Sequence, residues 1–239
     1  FSTFCFNKGK FFIRTTKESL SADKVVIATG GLSYPALGAS GIGYEIAKNF
    51  GHTVFPLKPA LVGFTVQPSE FWVKEILGVS TPVRVTLGER VFHDNILCTH
   101  KGLSGPAMLN ASLYWDKGSM LIDFLPDYDW DKDSHSKKHL TTLLPLPKRF
   151  IMAYLRVNKM DDKPAFKLNK QEQEVIRKLY NYPFAPAGTF GFTRAEITKG
   201  GINTDEINPQ TMESLKQEGL YFLGEVLDVN GQLGGYNIH

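Results

Sequence analysis

The stretch ADKVVIATGGLSYPALGASGIGYEIAKNFG, residues 22–51, decides the fold of this chain. Its β-branched run at 25–28 is too short for a helix and predicts a strand buried on both faces, as in a parallel sheet. Glycines 30–31 end the strand, where a ligand can approach the backbone. The apolar spacing over 42–50 predicts a helix that stops at Gly51. Strand, glycine turn and helix start together predict an anion or nucleotide site of an α/β fold.

Composition and charge narrow the class of protein. The 239 residues are 42% hydrophobic and 21% charged, which is ordinary for a soluble globular protein. The 27 basic and 24 acidic residues give a net charge of +3 without a long basic block, so we expect no nucleic-acid and no membrane partner. Cys5 and Cys98 are far apart and predict reduced thiols. We therefore expect a cytoplasmic protein, and its oligomeric state stays open.

Other regions differ in their hydrophobic pattern. Residues 1–16 predict a hairpin, because apolar residues flank the turn at Asn7–Lys10. Alternating apolar residues over 63–99 and 120–125 predict antiparallel strands in a small barrel or sandwich. A helical cluster follows, with predicted helices over 134–144, 148–157 and 170–180.

The α/β pattern returns near Thr193. Asn208 as N-cap, a proline in the first turn and a glycine stop predict a helix over 209–219. Leu220–Leu223 is then a second candidate for a short buried strand, and it ends at Gly224-Glu225.

Two strands of this chain therefore end in glycines. If those ending at Thr29-Gly30-Gly31 and Gly224-Glu225 lie side by side in a parallel sheet, both face one crevice of the kind that binds ligands. Glu225 can then accept a hydrogen bond from a sugar-like hydroxyl, and the backbone at Gly234-Gly235 can bind an anion or a polarised carbonyl. Each feature alone is also explained by turns or by a solvated charge, but together they predict a nucleotide-type cofactor.

Two stretches of the sequence partly resemble metal-binding motifs. Asp alternates over 127–133, but Lys132 and Lys138 stand where an EF-hand needs Gly and Glu, which favours a solvated loop. His135 and His139 have the spacing of ligands on one helix face, without a third ligand nearby. We therefore predict no metal site.

The segment GLSGP, residues 102–106, partly matches the nucleophile elbow of serine hydrolases. The elbow needs Gly two residues after the serine, and this chain has Pro106 there, which instead predicts the start of a helix. Hydrolysis through Ser104 is the least favoured function. His100 precedes this segment, where ligands often approach, and is either a candidate acid or a structural residue.

Five stretches of the sequence resemble one family. They are ADKVVIATGGLSYPALGASGIGYEIAKNFGH (22–52), PALVGFTV (59–66), CTHKGLSGPAMLNAS (98–112), AEITKGGI (195–202) and GLYFLGEVLDVNGQLGGYN (219–237). They follow one another in the family's order across nearly the whole chain. In them the sequence resembles the BaiN/YhiN-like FAD-dependent oxidoreductases, which are similar to the fumarate-reductase and glutathione-reductase flavoproteins.

The resemblance implies an α/β fold, α+β overall, built on a partial FAD-binding Rossmann-like domain that is split in sequence. Its two parts would be residues 1–57 and 194–239. An inserted domain would occupy residues 58–193, with an antiparallel barrel-like part over 58–125 and a small helical part over 126–193.

The resemblance also implies roles for particular residues. Those bordering the FAD would be Thr29, Gly30 and Gly31, and its ribityl or pyrophosphate part would contact Gly224 and Glu225. The residues at the isoalloxazine edge would be Gly234, Gly235, Tyr236 and Asn237. The inserted domain would cover the flavin face with Thr99, His100 and Ser104. The candidate general acids are Tyr34 and His100.

The sequence departs from the family pattern at two points. It contains no G-x-G-x-x-G turn to hold the FAD pyrophosphate, and Ile42 stands where the family commonly has an acidic residue. The first hypothesis is hydride transfer between NAD(P)H and a small organic substrate through FAD. The second is a stable fragment of such an enzyme that binds no FAD, since part of the cofactor cradle is missing. Fold-level analogy does not supply the substrate.

Overall fold

The computed structural model describes residues 3–237, and these form two compact units. The split unit consists of Phe1–Ala60 and Phe192–His239, and the inserted unit consists of Leu61–Gly191. Among residues 3–237, no helix is long and apolar enough to cross a membrane.

The described chain contains short strands and short helices. The strands are β1 (Thr3–Asn7), β2 (Lys10–Arg14), β3 (Ser19–Ala22), β4 (Val25–Ile27), β5 (Lys58–Ala60), β6 (Phe64–Thr65), β7 (Ser80–Leu87), β8 (Arg90–Cys98), β9 (Gly102–Ser104), β10 (Met120–Asp123), β11 (Tyr182–Phe184), β12 (Gly188–Thr189), β13 (Ile197–Lys199) and β14 (Leu220–Phe222). The α-helices are α1 (Ile42–Asn49), α2 (Trp72–Glu75), α3 (Pro106–Ser112), α4 (Trp130–Asp133), α5 (Leu140–Leu143), α6 (Lys148–Val157) and α7 (Lys170–Arg177).

The split unit is built from three small sheets within the described residues. β1, β2 and β3 form an antiparallel sheet, β5 pairs antiparallel with β13, and β14 pairs parallel with β4. The hairpin predicted over residues 1–16 is confirmed from Thr3 to Arg14, and Phe1 and Ser2 lie outside the described part. The buried side chains of Phe11, Ala47 and Phe222 join this hairpin, α1 and β14 in one core.

The strand predicted at 25–28 is present as β4, but the prediction that both its faces are buried is wrong. Ile27 is buried, whereas the side chain of Val26 is 53% exposed. β4 pairs only with β14 in the described structure, and Ile27 packs with α1 on one side of this pair. A single covered face leaves the opposite side chain in solvent.

The prediction of a helix over 209–219 is also wrong. Oδ1 of Asn208 accepts hydrogen bonds from the backbone N of Gln210 at 2.9 Å and of Thr211 at 3.3 Å, as an N-cap does. The chain then turns back, because Met212 adopts φ +61° and its N donates to the backbone O of Asn208. The same side-chain bonds can begin a helix or close a turn, so this local signal is ambiguous.

The inserted unit contains a curled antiparallel half-barrel sheet. In the described residues its strand order is β11-β10-β7-β8-β9-β6-β12. The hairpin of β7 and β8 turns at Gly88-Glu89, as the alternating pattern predicts. The core of this unit includes an aromatic cluster in which the rings of Trp72 and Phe124 pack against Phe150 at centroid distances of 5.4 and 4.8 Å.

The helical part of the inserted unit matches the prediction in one place and is shorter elsewhere. α6 has the predicted bounds, and α7 is followed by a 3₁₀ turn over 178–180. In the predicted helix 134–144 only α5 forms. Its start is set by tertiary contacts, since Thr141 Oγ1 donates to Asp162 at 2.6 Å.

Candidate cofactor site in the split unit

The two glycine-ended strands are neighbours. β4 and β14 pair in parallel with Leu220 opposite Val25 and Phe222 opposite Ile27. Beyond the strand ends, the backbone N of Leu223 donates to the O of Ile27 at 3.0 Å. The prediction that these strands lie side by side is therefore confirmed, and their carboxyl ends meet at one edge.

Glycines leave this edge open. Gly30 has φ +69° and Gly224 has φ +74°, conformations that L side chains rarely adopt. A Cβ built on either residue meets no atom within 4 Å, so the space in front of both is free. The side chain of Thr29 is exposed beside them. This is an opening in which a flat, phosphate-bearing molecule can approach backbone amides.

Thr198 forms hydrogen bonds to the segments that follow both strands. Its side chain is fully buried, and its backbone N donates to Glu225 Oε1 at 2.8 Å. Its Oγ1 accepts a hydrogen bond from the backbone N of Leu32 at 2.7 Å. A Cβ at Gly31 would overlap the same Thr198 and Glu225 side chains. Sequence reasoning missed Thr198, because an isolated threonine carries no local signal of such a role.

Helix α1 packs closely behind the glycine loop. A Cβ at Gly43 would overlap Thr29 Oγ1 and lie 2.9 Å from Val226, so glycine permits this approach. The neighbouring Tyr44 is buried, and its hydroxyl donates to the backbone O of Glu225 at 3.5 Å. Burial and the Glu225 charge raise the pKa of Tyr44 to about 12, so the phenol stays neutral.

The segment 234–237 is a turn in which glycine is needed. Gly234 and Gly235 have φ +127° and +92°, and the side chain of Tyr236 is 71% exposed. The amide of Asn237 bonds to its own loop, accepting from Gly231 N at 2.7 Å and donating to Gly231 O at 2.9 Å.

Tyr34 begins a 3₁₀ turn in the split unit. It adopts the left-handed φ of +58°, and its N donates to the backbone O of Phe192 at 3.0 Å. Its ring is partly exposed, which leaves the hydroxyl available to a ligand.

In the inserted unit, Thr99 and His100 lie at the tip between β8 and β9. The backbone N of Thr99 donates to Gly102 O at 2.7 Å, and Thr99 Oγ1 donates to the same oxygen at 2.9 Å. This tight turn holds His100 out in an exposed position. Ser104 ends β9, where it pairs with Leu97.

The geometry at Ser104 differs from a nucleophile elbow. An elbow places the serine on the turn itself, whereas Ser104 is part of the β9 ladder and Gly105 makes the turn with φ +92°. No hydrogen bond joins Ser104 to a histidine among residues 3–237. We therefore expect a fluorophosphonate probe to leave this protein unlabelled, as judged by mass spectrometry beside a known serine hydrolase. A stoichiometric adduct on Ser104 would overturn this expectation.

A second polar cluster in the split unit was not predicted. His52 is 4% exposed, its Nδ1 lies 3.2 Å from Glu206 Oε2, and its Nε2 lies 2.7 Å from Ser214 Oγ. Ser214 is 6% exposed, and its Oγ also accepts from the backbone N of Lys216 at 3.0 Å. The order Glu–His–Ser resembles a catalytic triad, but the burial of both His52 and Ser214 keeps substrate away. The cluster therefore joins two distant chain segments.

No group of three or more His, Cys, Asp or Glu side chains in the described part of the chain could hold a metal ion. The imidazole of His139 instead lies by the loop after α6, with Nδ1 3.1 Å from Asp162 O.

A family model described as the Rossmann domain of HI0933-like proteins matches residues 3–239. The chain belongs to the HI0933-like Rossmann-domain family. The resemblance to BaiN/YhiN-type FAD-dependent oxidoreductases is thereby confirmed, together with the mixed α/β fold that contains a half-barrel sheet.

Three curated relatives are similar to this HI0933-like chain over most of its length. It is 42% identical over 231 residues to a ribosomal RNA dihydrouridine synthase of Escherichia coli K12, which covers 92% of the chain and 58% of the relative. It is 38% identical over 241 residues to the protein of the same name from Haemophilus influenzae, with 96% and 60% covered. It is 32% identical over 258 residues to a 3-dehydro-bile acid delta(4,6)-reductase of Clostridium scindens, with 95% and 61% covered. The chain thus spans about three fifths of the length of these relatives.

The residues of this HI0933-like chain fit one wall of an FAD site. The glycines at 30 and 224 leave open space before the backbone, and Thr29 is an exposed residue beside them. One carboxylate oxygen of Glu225 is held by Thr198, which orients the other. The individual cofactor and substrate contacts inferred from the resemblance stay predictions.

Proposed function

We propose that this chain works as an FAD-dependent reductase that adds hydrogen across a carbon–carbon double bond conjugated to a carbonyl. The observation that carries the proposal is the parallel pair of β4 and β14, whose glycine ends open together in a chain of an FAD-binding family. Open α/β sheets bind ligands at such an edge.

The names of the relatives support one common chemistry. Dihydrouridine differs from uridine by two hydrogens on the C5–C6 bond, which is conjugated to the C4 carbonyl. A reductase of a 3-dehydro compound with double bonds at positions 4 and 6 acts on the same kind of conjugated system. When the double bond next to the carbonyl is reduced, hydride would add to the alkene carbon remote from the carbonyl and a proton to the alkene carbon beside it.

Among these substrates we favour uridine in ribosomal RNA. The identity to the two dihydrouridine synthases is 42% and 38%, against 32% to the bile acid reductase. This proposal departs from the expectation of no nucleic-acid partner, which rests on the small net charge and the lack of a long basic block. A conjugated steroid ketone is the second candidate. It agrees with the expectation, drawn from the sequence, of a small organic substrate.

The roles of the residues follow from the open edge. FAD, when bound, supplies two-electron hydride chemistry, and NAD(P)H is the proposed electron donor. Thr29–Gly31 and Gly224-Glu225 hold the cofactor through backbone amides and the Glu225 carboxylate. The candidate proton donors are Tyr34, which is exposed in the split unit, and His100, which is exposed in the inserted unit.

Two measurements on this chain test the proposal. Isothermal titration with FAD is expected to give a dissociation constant of micromolar or below, and failure to bind would instead favour the stable, cofactor-free fragment. Incubation with FAD, NADPH and ribosomal RNA should then add two hydrogens to a uridine, detected by nucleoside mass spectrometry. A conjugated steroid ketone offered in parallel separates the two substrates, and reduction of neither would overturn the proposed chemistry.

A further inference from the structure

Positive charge is concentrated in one segment of the inserted unit. Residues 134–178 carry eleven lysines and arginines and only four carboxylates, a net charge of +7. The whole chain has a net charge of +3, so the rest is net acidic. Net charge therefore hides a strongly asymmetric distribution, and a local basic surface is what attracts a polyanion.

One side of α6 presents part of this charge beside a cleft. The α6 face consists of Lys148, Arg149, Met152, Arg156 and Lys159, which line a cleft of about 830 Å³ between α6, α2 and the loop after α6. These five side chains are exposed. At 1.5 Å rise per helical residue, the cations from Lys148 to Arg156 extend over roughly 12 Å of α6, enough to meet neighbouring phosphates, and Lys159 follows the end of the helix.

Two of the three carboxylates that line the cleft form an ion pair or hydrogen bonds within the protein. Glu75 pairs with Arg156. Asp162 accepts hydrogen bonds from Thr141, at 3.1 Å from the backbone N and 2.6 Å from Oγ1. Asp161 is therefore the one lining carboxylate without a hydrogen-bond or ion-pair partner among the described residues.

Of the four cations that line the cleft, only Arg156 forms an ion pair within the described residues. Lys148 and Lys159 form no ion pair within residues 3–237. Arg149 gives one N–H to the backbone O of Leu77 at 3.3 Å and keeps its other donors. The lining has four cations and three carboxylates, a net charge of +1, and Lys148, Arg149 and Lys159 keep N–H donors free for an anionic partner.

We propose that the α6 face binds the phosphate backbone of RNA. This inference rests on the proposed function, because a ribosomal RNA substrate must be held by more than the target base. Lys148, Arg149 and Lys159 contact phosphates, while the exposed thioether of Met152 lies against sugar edges. Such contacts position the RNA without reading its sequence.

The test compares two triple variants of equal charge change. K148Q/R149Q/K159Q removes the free cations of the α6 face, and K8Q/K17Q/K24Q removes three exposed lysines of the split unit. Binding of a labelled RNA hairpin with loop uridines is measured by fluorescence anisotropy over a range of KCl concentrations. FAD and NADPH are omitted, and circular dichroism checks that both variants fold.

The α6 variant is expected to bind about tenfold or more weakly at 0.1 M salt, and its log–log salt slope should fall in magnitude by about 2. The split-unit variant should bind as the wild type does. Equal binding by all three proteins, or tighter binding to phosphatidylserine vesicles than to the hairpin, would overturn the inference. A chain that binds RNA through α6 but makes no dihydrouridine would contradict only the proposed reaction.

Discussion

Replacing Gly31 with alanine is expected to abolish FAD binding and to lower the free energy of unfolding by about 1–3 kcal/mol. The new Cβ would overlap Glu225 Oε1 and Thr198 Oγ1 and lie 2.7 Å from Thr198 Cβ. Thr198 is fully buried and is held by Leu32 and Glu225, so it has no room to yield. The loop after β4 must then separate from the Gly224 turn, which removes the open edge.

Gly41 provides the matched control for this substitution. It lies in the same glycine-rich segment with φ −77°, and a Cβ there would meet only Leu32 Cδ2 at 3.8 Å. We expect Gly41→Ala to change the free energy of unfolding by less than about 1 kcal/mol and to keep FAD affinity. Urea unfolding and calorimetric titration measure both quantities. Wild-type FAD affinity in Gly31→Ala would show that this edge is not the cofactor site.

Replacing His52 with alanine is expected to lower the free energy of unfolding by about 2–4 kcal/mol. The imidazole bonds Glu206 on one side and Ser214 on the other, and its ring lies 5.0 Å from that of Phe222. Its removal leaves a cavity and a buried hydroxyl without its partner. The cavity and the unpaired hydroxyl both weaken the contact between the end of α1 and the segment before β14.

This substitution should also change the pH dependence of stability. Burial lowers the pKa of His52 below its usual value near 6.5, although the Glu206 carboxylate opposes this shift. The unfolded chain therefore binds the proton more readily, and stability is expected to fall as pH drops from 6.5 through the lowered pKa. Burial acts to raise the pKa of Glu206, but Lys216 and the Thr53 hydrogen bonds outweigh it and lower the pKa to about 2. The contribution of the ionised Glu206 to the free energy of unfolding is therefore lost as the pH falls from about 4.5 to about 2.

Urea titrations at several pH values separate the two groups. His52→Ala should remove the loss of stability just below pH 6.5 and keep the loss below 4.5. His139→Ala is the control, because this histidine is exposed and its Nδ1 lies 3.6 Å from Asp162. We expect it to cost less than about 1 kcal/mol. A wild-type pH profile in His52→Ala would contradict the assignment of the upper step to this residue.

Part of the candidate site follows from short stretches of sequence. The glycines after β4 and β14 and the carboxylate of Glu225 were predicted as one edge, and the parallel register brings these strand ends together. The register itself was a conditional inference, since no local pattern tells which strands pair. Thr198 lay within a matching stretch, AEITKGGI, yet its buried hydrogen bonds to Leu32 and Glu225 gave no periodic signal.

The sequence by itself determined the elements whose causes are local. These include α1 and α6, whose apolar spacing creates one buried face, and the β7–β8 hairpin, whose alternation and glycine turn agree. Only the tertiary structure decided that Asn208 closes a turn and that one face of β4 stays exposed. It also decided that His52 meets Glu206 and Ser214 across more than 150 residues. Such contacts depend on chain segments brought together by folding, and no window of neighbouring residues contains them.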